Sequence, residues 1–255
     1  GSIGIIDGPP PPRSVAATSG PFLLTLRRIS IVRDFQTGIT TARLQVEFAW
    51  EPRLRPMLLT MKSDECEIVD DQGRPVAPQV SHESTEVVLR PDTPSAELNL
   101  DLAAPARDAK RLASIKLKAN VTIPADIKTF RFSTLAKPNQ SLMDGHVRVT
   151  LKRIEVEENV WKVDVTVDHS GGGPVLESFR QGLLRNRLRL QRSDGSKFEP
   201  KGESAGTTST DGVFDFEYIF TDLPGKPAEY ELIDETPSQI LKIPVEGHFR
   251  DISLP

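Results

Sequence analysis

The sequence predicts an all-β chain of two tandem antiparallel β-sandwiches that arose by internal duplication, and three observations carry that expectation. Leu24-Thr25-Leu26-Arg27-Arg28-Ile29-Ser30-Ile31 returns 125 positions on as Val149-Thr150-Leu151-Lys152-Arg153-Ile154-Glu155-Val156. Apolar residues alternate at Leu44, Val46, Phe48 and Trp50 and again at Trp161, Val163, Val165 and Val167, the two-residue period of half-buried strands. The turn-like run Gln72-Gly73-Arg74-Pro75-Val76-Ala77-Pro78 is answered 122 positions on by Asp194-Gly195-Ser196-Lys197-Phe198-Glu199-Pro200. A chain of 255 residues suits two domains of roughly 110 to 120 residues each.

The repeated stretch has a peculiarity. In both copies the apolar positions lose phase across the basic pair, Leu24 and Leu26 having one parity and Ile29 and Ile31 the other, with Val149/Leu151 and Ile154/Val156 repeating the slip. A strand that slips in this way needs a bulge or bend. The expectation is one strand serving two faces, crossing from one sheet of a sandwich to the other.

Along the chain, residues 1–20 form an extended segment, with apolar Ile3, Ile5 and Ile6 followed by Pro9, Pro10, Pro11 and Pro12. Prolines enforce polyproline geometry and donate no backbone hydrogen bonds, so this part reads as a candidate donor strand on a semi-rigid spacer. Residues 21–135 form the first sandwich. After the organising strand come Leu44–Trp50, Met57–Met61, Cys66–Val69, a turn at Gly73, then Glu86–Leu89, Leu98/Leu100/Leu102, Ile115/Leu117, Val121/Ile123 and Phe130/Phe132. Residues 103–112 read as a loop with a turn. Residues 136–145, holding Pro138, Asn139, Asp144 and Gly145, read as the linker, and residues 146–255 as the second sandwich. There Phe214, Phe216, Tyr218 and Phe220 oppose Asp215, Glu217 and Ile219, and Pro244 in the last apolar run points to an edge or bulge.

Composition narrows the partners. A net charge of −4 gives no field that would draw the chain to nucleic acid, and no apolar run approaches the roughly 18 residues that mark membrane insertion. Cys66, the single cysteine, excludes an internal disulfide and reads as a buried thiol. The chain begins with Gly rather than Met, which reads as a tag remnant or a processed leader.

No catalytic, cofactor-binding or metal-ligating set is expected. His82, His146, His169 and His248 lie far apart and none has a Cys or His at ligand spacing. Ser170-Gly171-Gly172-Gly173-Pro174 is glycine-rich but leads to proline rather than to the lysine-bearing helix start a phosphate loop needs, so it reads as an inter-strand loop. The acidic run Asp64, Glu65, Glu67, Asp70 and Asp71 reads as a solvated strand face rather than a calcium loop. Arg185, Arg187 and Arg189 share one strand face and are expected to pair with Asp215 and Glu217. Trp50 and Trp161 fall in phase with core residues, which leaves few rings for a sugar platform.

The strand and turn pattern of both halves resembles immunoglobulin-like and fibronectin-type sandwiches, in architecture only. The leading functional expectation is a non-enzymatic structural or adhesive protein at the cell surface or outside the cell. Its partner is a second copy of itself, joined as the segment bearing Ile3 to Ile6 adds to a neighbour's sheet edge and so builds filaments. The alternative is an accessory module that binds carbohydrate or another ligand through loops at one end of a sandwich.

Overall fold

The computed structural model describes residues 15–89, 93–169, 186–206 and 212–255, and nearly all the regular structure in them is antiparallel strand. The strands are β1 (Val15–Ser19), β2 (Phe22–Arg33), β3 (Thr40–Trp50), β4 (Leu58–Lys62), β5 (Glu67–Asp70), β6 (Ser84–Val88), β7 (Ser95–Ala103) and β8 (Arg111–Phe132). They continue as β9 (Gln140–Asp144), β10 (Val147–Glu157), β11 (Val160–Asp168), β12 (Arg187–Arg192), β13 (Lys197–Phe198), β14 (Gly202–Gly206), β15 (Val213–Thr221) and β16 (Tyr230–Ser253). Two compact units result, the first reaching Val121 and including Ile243–Pro255, the second Thr122–Lys242.

Unit 1 has one sheet in the order β1-β2-β3-β7. Its other strands are β6, β4, β5, the first part of β8 and the last part of β16. Along that last pairing Leu254 N–H donates to the Lys110 carbonyl at 2.9 Å, and Ser114 Oγ meets His248 Nε2 at 3.1 Å. The core is the inner alternation: Leu44, Val46 and Phe48 of β3 and Leu98, Leu100 and Leu102 of β7 are buried, as are Ile115, Leu117 and Val121 of β8. Gly247 of β16 lies against the first sheet so closely that a Cβ there would stand 2.7 Å from Leu24 Cδ2.

Unit 2 follows the same order, β9-β10-β11-β15, with β14 added outside β15. Its second group is β13, β12, the first part of β16 and the last part of β8. Trp161 of β11 meets Tyr230 of β16 edge-on, ring centroids 5.2 Å apart, which joins the two layers. All-β, sandwich-like architecture therefore holds in each unit.

The bulge expected at the basic pair is present in both units, between Leu26 and Arg28 and between Leu151 and Arg153. Its effect corrects the expectation of one strand serving two faces. Leu24, Leu26, Ile29 and Ile31 oppose Phe48, Val46, Leu44 and Ala42, so all four keep the core-side parity of β3. The extra residue, Arg27 or Lys152, absorbs the slip; neither strand changes sheet. Pairing also shows that the two tryptophans are not equivalent. Trp50 lies opposite Phe22 at the end of β3, while Trp161 lies opposite Val156 at the start of β11.

Three boundaries differ from the sequence-based division. Val15–Ser19, expected within the extended segment 1–20, is β1 and pairs with β2. Residues 140–144 of the expected linker are β9, paired with β10. The chain passes from unit 1 to unit 2 within β8 and returns within β16, so residues 122–135, expected in the first sandwich, belong to unit 2, and residues 243–255, expected in the second, belong to unit 1.

Candidate functional site

The candidate self-assembly residues Ile3, Ile5, Ile6, Pro9, Pro10, Pro11 and Pro12, the Gly171–Gly173 loop and Arg185 lie outside the described residues. What the structure describes is where that segment joins the fold: β1 is the edge strand of its sheet, and Val15 is exposed. In unit 2 the matching edge strand, β9, exposes Leu142 and Met143, the latter by 63 %.

The opposite edges of these two sheets differ. Beyond β15, unit 2 carries β14 with Gly202 opposite Ile219, Ala205 opposite Phe216 and Gly206 opposite Asp215. Beyond β7, the described residues of unit 1 place only the short stretch Ala77–Gln79: Ala103 N–H donates to the Ala77 carbonyl and Gln79 N–H to the Asp101 carbonyl, both at 2.9 Å. The chain then turns away, and the outer side of β7 from Asn99 back to Ser95 has no strand beside it among the described residues.

The residues weighed for chemistry are dispersed. His82 Nδ1 pairs with Asp64 at 2.9 Å, and His146 Nε2 meets the Ser238 carbonyl at 2.8 Å. Of the acidic run, Glu67 is exposed and bonded to Lys116, while Asp70 is buried inside its own turn, accepting the N–H groups of Gln72 and Arg74 and the Arg74 guanidinium at 2.8 Å. No group of three or more His, Cys, Asp or Glu among the described residues is placed to hold a metal. Arg189 bonds Glu235 at 2.7 Å, and Arg187 stands opposite that same residue on β16. That corrects the expected partners: Asp215 is taken by Lys152 at 2.8 Å and by the Thr166 hydroxyl. Cys66 is buried, and burial raises its thiol above the ordinary value.

Sequence reasoning missed a set of buried polar groups in unit 2. His169 is fully buried and follows β11, in the place that Trp50 holds at the end of β3, and neither ring nitrogen has a hydrogen-bond partner among the described residues. Burial, helped by nearby His146, holds its pKa down at about 4, against the pull of Asp168. Asp234 of β16 is fully buried, and among the described residues only its Oδ1 has a partner, the Thr236 hydroxyl at 3.4 Å. Burial, with Glu235 and Glu203 adding to it, pushes its pKa up to about 7. Tyr218 and Asn186 are also buried with side-chain polar atoms that have no partner among the described residues, and burial raises the Tyr218 phenol. The signal was present only as polarity at core-parity positions, Tyr218 among phenylalanines and Asp234 beyond Leu232.

Among the described residues these features define a nearly all-β architecture of sandwich-like units. The sequence matches no protein-family model and no curated protein.

Proposed function

We propose that this is a non-enzymatic structural or adhesive protein that works outside the cytoplasm and assembles with copies of itself, the segment ahead of β1 adding as a strand to a neighbour. Both units are read as immunoglobulin-like products of one duplication, a reading supported by the bulge that recurs 125 positions apart, at Leu26/Arg28 and Leu151/Arg153. The observation that carries the assembly reading is the position of β1. Among the described residues it is the outermost strand of its sheet, so Val15 stands at a sheet rim rather than inside a core. Edges carry free N–H and C=O groups, and an extended segment held by main-chain bonds with alternate side chains in pockets is a recurrent way to join chains. A contact of this head-to-tail kind repeats without closing and gives filaments.

Removal of residues 1–14, which spares β1, tests this. The truncated chain is expected to keep its far-UV spectrum and urea midpoint and to sediment as a monomer where the full chain forms larger species. Unchanged assembly after that truncation overturns the proposal. Location outside the cytoplasm is checked by fractionating cells that make the native protein.

A further inference from the structure

We infer that the acceptor for this strand is the outer edge of β7 in unit 1, from Glu97 to Asn99, and that residues 3–6 of a second copy fill it. This rests on the strand-addition reading above and names its receiving site. The inference comes from a difference between two otherwise matched sheets. Leu26, Val46 and Leu98 lie side by side across β2, β3 and β7, as Leu151, Val165 and Phe216 do across β10, β11 and β15. Leu98 and Phe216 are thus equivalent. Outside Phe216 lies Ala205 of β14; outside Leu98 among the described residues lies no strand.

The two edges even begin alike. Lys201 N–H donates to the Ile219 carbonyl at 2.7 Å, and Gln79 N–H makes the matching bond to the Asp101 carbonyl at 2.9 Å. From Lys201 the chain continues as β14. From Gln79 it departs instead, its Val80 carbonyl accepting from Ser63 Oγ at 2.9 Å. Trp50 N–H donates to the Pro94 carbonyl, so even-numbered residues of β7 turn their backbone groups to β3 and odd-numbered ones turn theirs outward. Asp101 and Ala103 have outward partners; Glu97 and Asn99 have none among the described residues.

What fits this edge is a short extended segment with apolar residues two apart on the core side. Residues opposite Leu98 and Leu100 face the core, both of those being buried. Ile3 and Ile5 have that spacing, which sets Gly4 beside exposed Asn99 on the outer face. A second copy is favoured as donor because β1 and β7 are opposite rims of one sheet. To reach its own β7 the segment would have to reverse across the sheet, against the straight course that Pro9–Pro12 favours.

The test uses full-length chains in which Cys66 is replaced by alanine, one carrying Gly4→Cys and another Asn99→Cys. Mixed under mild oxidation, they are expected to give a disulfide-linked heterodimer. If instead only a chain bearing both substitutions oxidises, within itself, the donor is its own copy; if neither cross-link forms, the β7 assignment fails. Asn99→Pro supplies the second arm, since proline on an outward-facing edge position spares the ladder to β3 while removing a donor and obstructing an incoming strand. Its expected result is the monomer that removal of residues 1–14 gives, with an unchanged urea midpoint. Should the truncation abolish assembly while Asn99→Pro leaves it intact, strand addition stands and the acceptor lies elsewhere; should neither change assembly, both readings fall.

Discussion

Asp234 is a carboxylic acid enclosed by the core of unit 2, and its proton is tied to folding. With a folded pKa of about 7 against an ordinary 3.8, the folded chain keeps a proton that the unfolded chain has already released between those values. The stability contributed by the group is therefore complete below about pH 4, falls as pH rises toward 7, and then levels off. Asp234→Asn keeps the shape and removes the titration, so its stability relative to the parent is expected to rise between pH 4 and pH 8 by up to about 4 kcal/mol. Urea melts at the two values check it; a pH-independent difference refutes the assignment. His169 works from the other side, because its pKa is held down to about 4 from 6.5. Here the stability is complete above about pH 6.5 and is lost as pH falls toward 4. His169→Phe, placing an apolar ring where unit 1 has Trp50, is expected to remove about 2–3 kcal/mol of acid sensitivity across that window, read from melts at pH 7 and pH 4.5.

At the scale of the strand, the bulge keeps the apolar residues on either side of the basic pair on one face of the sheet. Deleting Arg27 would close the bulge and leave Ile29 and Ile31 in phase with Leu44 and Ala42, and Arg27→Ala would lose only the exposed pairing with Glu47. Both changes are expected to leave unit 1 folded, the substitution at a cost of at most about 1 kcal/mol, as measured by denaturant midpoint and circular dichroism. The slip was legible in the sequence because Leu26 and Ile29 stand three apart within an alternating run. Its consequence was not, since parity alone does not say whether a strand turns over or gains a residue. Strand length was hidden for another reason: Ile115/Leu117, Val121/Ile123 and Phe130/Phe132 read as separate short runs and Pro244 as an edge or bulge, yet β8 runs 22 residues with Pro124 inside it and β16 runs 24 with Pro237 and Pro244 inside it. Nor did the sequence disclose the side of β7 that has no strand beside it among the described residues, because an edge is defined by what fails to lie beside it. Ser95–Ala103 and Val213–Thr221 alternate in the same way, and only pairing separates them.

Across the whole molecule, the division into two units was expected from the repeat, but each unit also takes in strand from the other half of the sequence. Unit 1 needs Val245, Phe249 and Ile252, all buried, and unit 2 needs Phe130 and Phe132. Residues 15–135 expressed alone are accordingly expected to fail to fold, and to recover when residues 243–255 are supplied by fusion through a flexible linker. Proteolysis and circular dichroism decide the matter; a stable, cooperatively melting 15–135 fragment would contradict it. Loss of residues 243–255 from the full chain should leave protease-resistant unit 2 behind.

The return of β16 to unit 1 also reverses the timetable of synthesis. Ribosomes commonly release domains to fold in the order in which they are made, at about 5–20 residues per second. In this protein the earlier-encoded unit waits on Ile243–Pro255 for completion, while the later-encoded one has all its residues once Lys242 has emerged. The nascent front half therefore spends roughly ten seconds with Ile115, Leu117 and Val121 lacking their neighbouring strand, an interval in which a holding chaperone has something to grip.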